Sequence, residues 1–177
     1  MAGADNDTGR TDMKFLLLGH AQHGKDSAAE IMKSYWGVTW QSSSVAALKL
    51  YMFKILQGLF GYETLKEAYE DRHNHRLLWK ELITAYNYND RARLCRDILE
   101  INGNDMYIGM RCPLEYEASK PLFSKIFWID ASQRVASDPS MGIPFDESMI
   151  VIDNNGDLRD LKDQIQHPAM GIHLGRW

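Results

Sequence analysis

A glycine-rich stretch near the start of the chain has the residue types and spacing of a phosphate-binding loop. Its pattern is Gly-x-x-x-x-Gly-Lys, in which two glycines let the backbone wrap closely around an anion and a lysine adds a mobile positive charge. The backbone N–H groups and the start of the following helix would then point at the phosphates of a nucleotide. We therefore expect ATP to bind at Gly19, His20, Ala21, Gln22, His23, Gly24, Lys25, Asp26 and Ser27.

The flanking sequence supplies the elements that such a loop requires. The apolar run 14–18 predicts a buried strand, and residues 27–35 predict a helix. The alternative is a glycine-rich turn ahead of an ordinary helix. That alternative does not require a strand before the turn, so the order strand, loop, helix favours the phosphate-binding loop.

The position after the loop lysine departs from the usual pattern. A Ser or Thr that binds Mg²⁺ is expected there, whereas this chain has Asp26 followed by Ser27. Either the Asp26 carboxylate or the Ser27 hydroxyl could hold the ion. Asp130 ends the apolar run 125–130 and is a third candidate, with capping of the next turn as the alternative role. The sequence therefore predicts Mg²⁺ as a cofactor and leaves its ligand open.

Two arginines follow predicted strands at the edge of the sheet where ligands bind. Arg111 ends the predicted strand 104–111, and ligands of open α/β sheets lie beyond the carboxyl ends of the strands. It is the strongest candidate for contact with a substrate phosphate, because a guanidinium group can bind two phosphate oxygens at once. Arg134 follows Asp130 by four residues and is expected on the same side of the sheet.

Other polar residues are candidates with equally good structural explanations. Ser42 and Ser43 follow the predicted strand 38–41, where they could contact a polar substrate or cap the next helix. Arg72 and Arg76 belong to a basic cluster that suits an anionic substrate, although a solvated surface explains the cluster as well. The histidines of this cluster lack the further ligands that a zinc site needs.

Composition narrows the class of protein. The chain has 177 residues and a net charge of −4, which suits one domain and gives no overall attraction to nucleic acid. Its two cysteines lack metal-ligand spacing and indicate a reducing compartment. We expect a soluble, cytoplasmic protein without membrane association, with residues 1–12 as a disordered lead-in and 13–177 as a single domain. A homodimer is one expected assembly.

The alternation of strands and helices predicts the fold. The predicted strands are continuous apolar runs, which is typical of a parallel sheet covered on both faces. We therefore expect an α/β fold, a P-loop NTPase-like α/β/α sandwich with about five parallel strands and a helical insert, 61–102, between strands two and three. Three Pro or Gly residues in 136–147 predict a loop there, a candidate lid.

Four segments together resemble one family, the bacteriophage deoxynucleoside monophosphate kinases. They are Gly24-Lys25-Asp26-Ser27, Ile108-Gly109-Met110-Arg111 with Glu115, Trp128-Ile129-Asp130-Ala131-Ser132 with Arg134, and Val151-Ile152-Asp153-Asn154-Asn155-Gly156. The resemblance covers about residues 14–166. It implies that ATP phosphates lie on Gly24 and Lys25, that Arg111 meets the acceptor, that Arg134 approaches the transferring phosphate, and that Asn154 and Asn155 lie near the adenine.

The expected activity is therefore ATP-dependent phosphorylation of a deoxynucleotide, from monophosphate to diphosphate, with Lys25, Arg111, Arg134 and Asp130 as catalytic residues. If the chain is phage-encoded, it acts in the host cytoplasm. Phage 5-hydroxymethyluridine DNA kinases are related and provide an alternative, in which the acceptor is a modified base in DNA and Asp26 or Asp130 could act as general base. A second alternative is a switch or assembly ATPase that hydrolyses a nucleoside triphosphate.

Overall fold

The structure is a computed structural model that describes residues 13–167. The predicted lead-in, 1–12, and the end of the chain from residue 168 lie outside the described residues. Within 13–167 the chain forms one parallel sheet with helices on both faces, which confirms the predicted α/β/α sandwich.

The sheet of the described region has five parallel strands in the order β2-β3-β1-β4-β5. The first strand lies at the centre, and Phe15 is in register with Met106 of β3 on one side and Lys125 of β4 on the other. The strands are β1 (Phe15–Leu18), β2 (Trp40–Ser42), β3 (Met106–Ile108), β4 (Lys125–Asp130) and β5 (Ile150–Asp153).

Helices fill the connections between the strands. Two segments, Leu48–Met52 and Asp97–Ile101, are π-helical, and two, Asp71–His73 and Lys120–Leu122, are 3₁₀-helical. The α-helices are α1 (Lys25–Trp36), α2 (Ser43–Ala47), α3 (Phe53–Phe60), α4 (Leu65–Glu70), α5 (Arg76–Tyr86), α6 (Arg93–Arg96), α7 (Pro113–Ser119) and α8 (Leu158–Gln166). No helix in 13–167 is both long and apolar enough to cross a membrane.

Alternate residues of the central strand bury on opposite faces of the sheet. Phe15 and Leu17 pack with apolar residues of α1 and α8, whereas Leu16 and Leu18 pack with the helices that follow β2. Burial on both faces explains why the strands read as continuous apolar runs. Because helices cover both faces of the sheet, polar groups that contact a ligand are expected at the ends of the strands.

The topology creates a crevice beside the end of β1. From β1 the chain crosses through α1 toward β2, whereas from β4 it continues to β5 on the other side of the sheet. The connections after these neighbouring strands therefore diverge, with α1 in one core cluster and Ile143 and Met149 in the other. Such a switch point is where open α/β sheets bind ligands.

The third strand is shorter than predicted. The sequence predicted a strand over 104–111, but regular pairing covers only Met106–Ile108. Gly109 has a φ of 102°, and a Cβ there would lie 2.7 Å from Ser43 Oγ. The left-handed backbone turns the chain out of the sheet, so Arg111 stands beyond the strand instead of ending it.

The helical insert 61–102 between strands two and three is confirmed, and further helices fill residues 43–60 before it. Helical structure starts at residue 43, directly after β2, and continues with interruptions to residue 101. Breaks that the sequence indicates at 71–74 and 87–90 fall where the chain leaves α4 and where it leaves α5. Glu67 and Thr64 form a capping box at the start of α4, which explains why a helix begins there.

Candidate active site

The predicted phosphate loop, 19–24, connects the end of β1 to the start of α1. Its backbone has positive φ at Gly19 (134°), Gln22 (61°) and Gly24 (86°). A Cβ at Gly24 would lie 2.3 Å from the Asn154 side chain, and one at Gly19 would lie 2.5 Å from the carbonyl oxygen of Ile129. Both glycines are therefore required by conformation and by space, as the sequence pattern predicted.

His23 is buried and supports the loop from within the protein. Its Nδ1 accepts the Ala131 N–H (3.1 Å), so the ring proton lies on Nε2, which donates to the Val135 carbonyl oxygen (3.3 Å). These bonds attach the loop to the segment after β4. The sequence pattern grouped His23 with the ATP-binding residues, and the structure gives its side chain a supporting position behind the loop.

Asn154 supports the same loop from the end of β5. Its buried Nδ2 donates to the His23 carbonyl oxygen (2.8 Å). Asn155 donates its side-chain amide to Asp153 (2.6 Å) and accepts the Gln133 N–H (2.8 Å). Contact of these two residues with adenine stays a prediction, and in this structure both amides bind protein groups.

Lys25 lies at the first position of α1 and turns back onto the loop. Its ammonium donates to the carbonyl oxygens of Gly19 (2.8 Å) and His20 (2.6 Å). Burial, followed by the positive charge of Arg111, lowers the pKa of Lys25 from 10.5 to about 8, against the opposing charges of Asp26 and Asp138. Two cations therefore face the same region of the crevice.

Arg111 reaches this region from the loop after β3. Its Nη1 donates to the carboxylate of Asp138 and the hydroxyl of Ser140. Gly142 N–H donates to the Arg111 carbonyl oxygen (3.1 Å), so backbone and side chain are both held by one segment. The loop 136–147, a candidate lid by its sequence, is anchored to Arg111 in this structure.

Asp138 joins the arginine to the phosphate loop. Its backbone N–H donates to His20 Nδ1 (3.1 Å). Burial raises the pKa of the Asp138 carboxyl, but bonds from Ser140 and the charge of Arg111 outweigh burial and bring this pKa down to about 2. Sequence reasoning missed Asp138 and Ser140, and the available signal was a turn-forming Asp-Pro-Ser in the loop.

Asp130 caps the turn that follows β4. Its carboxylate accepts the Ser132 N–H (3.0 Å), the Ser132 hydroxyl (3.2 Å) and the Asn155 amide (3.4 Å). Burial raises the pKa of this carboxyl, but these hydrogen bonds lower it by more than burial raises it. The net effect is a pKa below the ordinary value. Of the two roles considered for Asp130, this geometry supports the cap.

Arg134 is directed toward the end of β5. Its Nε donates to the Asn154 carbonyl oxygen (2.8 Å), and a second guanidinium nitrogen donates to the same atom. Arg134 thus shares with Asn154 the support of the loop, and its approach to a transferring phosphate stays a prediction.

The first turn of α1 carries two oxygen-bearing side chains that could hold a metal ion. Asp26 and Ser27 are both exposed there, one and two residues after Lys25. Residues 13–167 contain no group of three or more His, Cys, Asp or Glu side chains arranged around a metal ion. Mg²⁺ in nucleotide sites takes one or two protein ligands together with phosphates and waters, so one carboxylate or hydroxyl fits this ion.

The remaining candidates divide between the crevice and the insert. Ser42 caps α2 by accepting the Val45 N–H (3.3 Å). Buried Ser43 donates to the carbonyl oxygen of Gly109 (3.4 Å), two residues before Arg111. Arg72 lies over the Tyr69 ring (3.9 Å), and Arg76 contacts His73. The structure therefore brings Ser43 to the end of β3, whereas the contacts of Arg72 and Arg76 lie within the insert.

Comparisons with known proteins give no family for the chain. No protein-family model matches it, and no curated protein matches it significantly.

Proposed function

We propose that this protein transfers the γ-phosphate of ATP to a deoxynucleoside monophosphate. The observation that carries the proposal is the convergence of Lys25 and Arg111 on His20 of the phosphate loop. Lys25 donates to the His20 carbonyl oxygen (2.6 Å), and Arg111 donates to Asp138, whose backbone N–H donates to the His20 ring (3.1 Å). Two cations on different elements suit two phosphorylated substrates that meet in one crevice.

Each cation has a separate part in this proposal. Lys25 contacts the donor phosphates, because it belongs to the loop whose backbone N–H groups and helix start face an anion. Arg111 binds the acceptor phosphate, since its planar guanidinium matches phosphate oxygens in pairs. Mg²⁺, held through oxygen atoms of Asp26 or Ser27, would neutralise charge on the donor phosphates when bound.

The chemistry then requires alignment and charge neutralisation without a covalent intermediate. A monophosphate acceptor is already an anion at neutral pH, so a general base is unnecessary. A hydroxymethyl acceptor benefits from a base, and Asp130, one candidate for that role, is a poor one because hydrogen bonds hold its carboxylate and lower its pKa. Asp26, the other candidate base, is exposed at the start of α1, so an assay that offers both acceptors separates a free monophosphate from a modified base in DNA.

Arg111→Lys tests which substrate this arginine binds. A lysine keeps the charge but loses the paired contact, which is worth about 1.5 to 3 kcal/mol, so the acceptor kcat/KM should fall roughly 10- to 150-fold. The ATP KM should change little. Steady-state kinetics with each substrate varied in turn measures both values. Arg159→Lys is the control, because Arg159 is exposed on α8 and pairs with Asp163 at 3.9 Å.

The opposite split would reverse the assignment. If ATP binding weakens by that factor while the acceptor kcat/KM is unchanged, Arg111 belongs to the donor site. If both variants behave like the wild type, Arg111 does not contact a substrate.

A further inference from the structure

Three Asp-x-Ser turns follow one another between β4 and β5. They begin at Asp130, Asp138 and Asp146, and in each turn the carboxylate accepts the backbone N–H of the serine two residues later, at 3.0, 2.9 and 2.7 Å. The three turns therefore share their local geometry. They differ in what else the carboxylate contacts.

The middle turn contacts both halves of the proposed active site. The Asp138 carboxylate accepts from Arg111 Nη1, and the Asp138 backbone N–H donates to His20 of the phosphate loop at 3.1 Å. The Asp138 side chain is 17% exposed and that of Arg111 is 43% exposed, so the guanidinium is the more accessible member of the pair.

The bonds to Arg111 leave part of its guanidinium open. A guanidinium has five N–H donors in one rigid plane. Both Asp138 and Ser140 bind the same nitrogen, Nη1, and the backbone carbonyl of Arg111 is held by Gly142 N–H at 3.1 Å. Fixing one nitrogen and the main chain orients the whole plane, and the donors on Nη2 and Nε are then directed elsewhere.

We propose that Asp138 is a positioning residue, which orients Arg111 for the acceptor phosphate and links that arginine to the phosphate loop through His20. The inference rests on the proposed function, because it assigns the free donors of Arg111 to an acceptor phosphate. A residue held by a charged partner keeps its orientation at low entropic cost, so the partner contributes to binding without touching the substrate.

The chain offers a closely matched pair of variants. Asp138→Asn keeps an oxygen for the Ser140 N–H and loses the negative charge that holds Arg111. Asp146→Asn makes the same change in the third turn, whose carboxylate accepts the Ser148 N–H. We expect Asp138→Asn to lower the acceptor kcat/KM about tenfold, as for loss of a charged hydrogen bond, with the ATP KM within about twofold of wild type. Asp146→Asn should match wild type in both.

A double-mutant cycle separates positioning from a general structural role. In an Arg111→Ala background the side chain that Asp138 orients is absent, so Asp138→Asn should cause no further decrease in the acceptor kcat/KM. All kinetic arms use the full chain with ATP, Mg²⁺ and each of the four deoxynucleoside monophosphates.

Four results would overturn the inference. An unchanged acceptor kcat/KM in Asp138→Asn, or equal losses for ATP and acceptor, would exclude positioning while leaving the proposed kinase activity intact. Additive losses in the Arg111→Ala background would show that Asp138 acts independently of Arg111. Absence of acceptor phosphorylation by the wild type would refute the proposed function and the inference together, and the wild-type arm identifies this case.

Discussion

At the scale of single residues, the largest loss of activity is expected from substitution of Lys25. Its ammonium binds carbonyl oxygens of its own loop, so Lys25→Ala should nearly abolish phosphate transfer and leave the fold intact. Activity assays and circular dichroism measure the two effects. Lys33→Ala is the control, because Lys33 is an exposed lysine in the last turn of the same helix. Wild-type turnover in Lys25→Ala would refute the phosphate-loop assignment.

The lowered pKa of Lys25 predicts how ATP binding depends on pH. With a pKa of about 8, the ammonium is charged below pH 8 and loses its charge as pH rises through that value. ATP should therefore bind most tightly at neutral pH and progressively more weakly above pH 8. Calorimetric titration measures the change. Lys25→Arg stays charged throughout this range, so a parallel decrease in this variant would assign the effect to another group.

Sequence reasoning identified residues whose chemistry is local and missed those that depend on tertiary contacts. The roles of Gly24 and Lys25 follow from a continuous pattern on one loop. Asp138 lies 27 residues from Arg111, and their contact depends on the strand order, which a single sequence does not encode in any local pattern. The burial of Asn154 against His23 was inaccessible to sequence reasoning for the same reason.

At the scale of elements, Asn154 connects the end of β5 to the phosphate loop. Asn154→Ala would leave the His23 carbonyl oxygen without its donor, so we expect a loss of about 1–3 kcal/mol in the free energy of unfolding and weaker binding of ATP. Because the amide faces the loop backbone, ATP and GTP should be affected by the same factor. Asn102→Ala is the control, since Asn102 is exposed. A loss confined to ATP would instead show an adenine contact.

The contact between α7 and the insert includes a buried carboxyl. Glu115 accepts the amide of buried Asn87 (2.9 Å), and burial raises the Glu115 pKa despite this bond and the charge of Arg91. An acid with a raised pKa in the folded state favours folding at low pH, and this contribution is lost as pH rises through the folded-state pKa. Glu115→Gln keeps the acceptor without the charge.

We therefore expect Glu115→Gln to gain stability relative to wild type as the pH is raised from 4 to 8. Denaturant unfolding at several pH values measures the difference between the two proteins. Glu117→Gln, on the exposed side of the same helix, should show no such trend. If the free energy of unfolding of Glu115→Gln instead falls relative to that of the wild type as the pH rises, the assigned direction of the Glu115 pKa shift is wrong.

At the scale of the whole molecule, the helical and sheet layers could be predicted from the sequence, whereas the order of the strands in the sheet could not. Apolar runs such as 125–130 predicted buried parallel strands, because a strand that is covered on both faces has no alternation of apolar and polar residues. The position of β1 at the centre of the sheet and the divergence of the chain after β1 and β4 emerge only from long-range pairing. In the same strand order β3 lies next to β1, and this adjacency brings Arg111, after β3, and Lys25, after β1, to one crevice.

The central claim is that the crevice transfers phosphate from ATP to a free deoxynucleotide. The most direct test incubates the protein and Mg²⁺ with γ-labelled ATP and, separately, with the four deoxynucleoside monophosphates, with unmodified DNA and with DNA that contains 5-hydroxymethyluridine. We predict label in a deoxynucleoside diphosphate, formed in equal amount with ADP and absent in Lys25→Ala. Label confined to the modified DNA, or released as inorganic phosphate at the same rate with or without any acceptor, would contradict the claim.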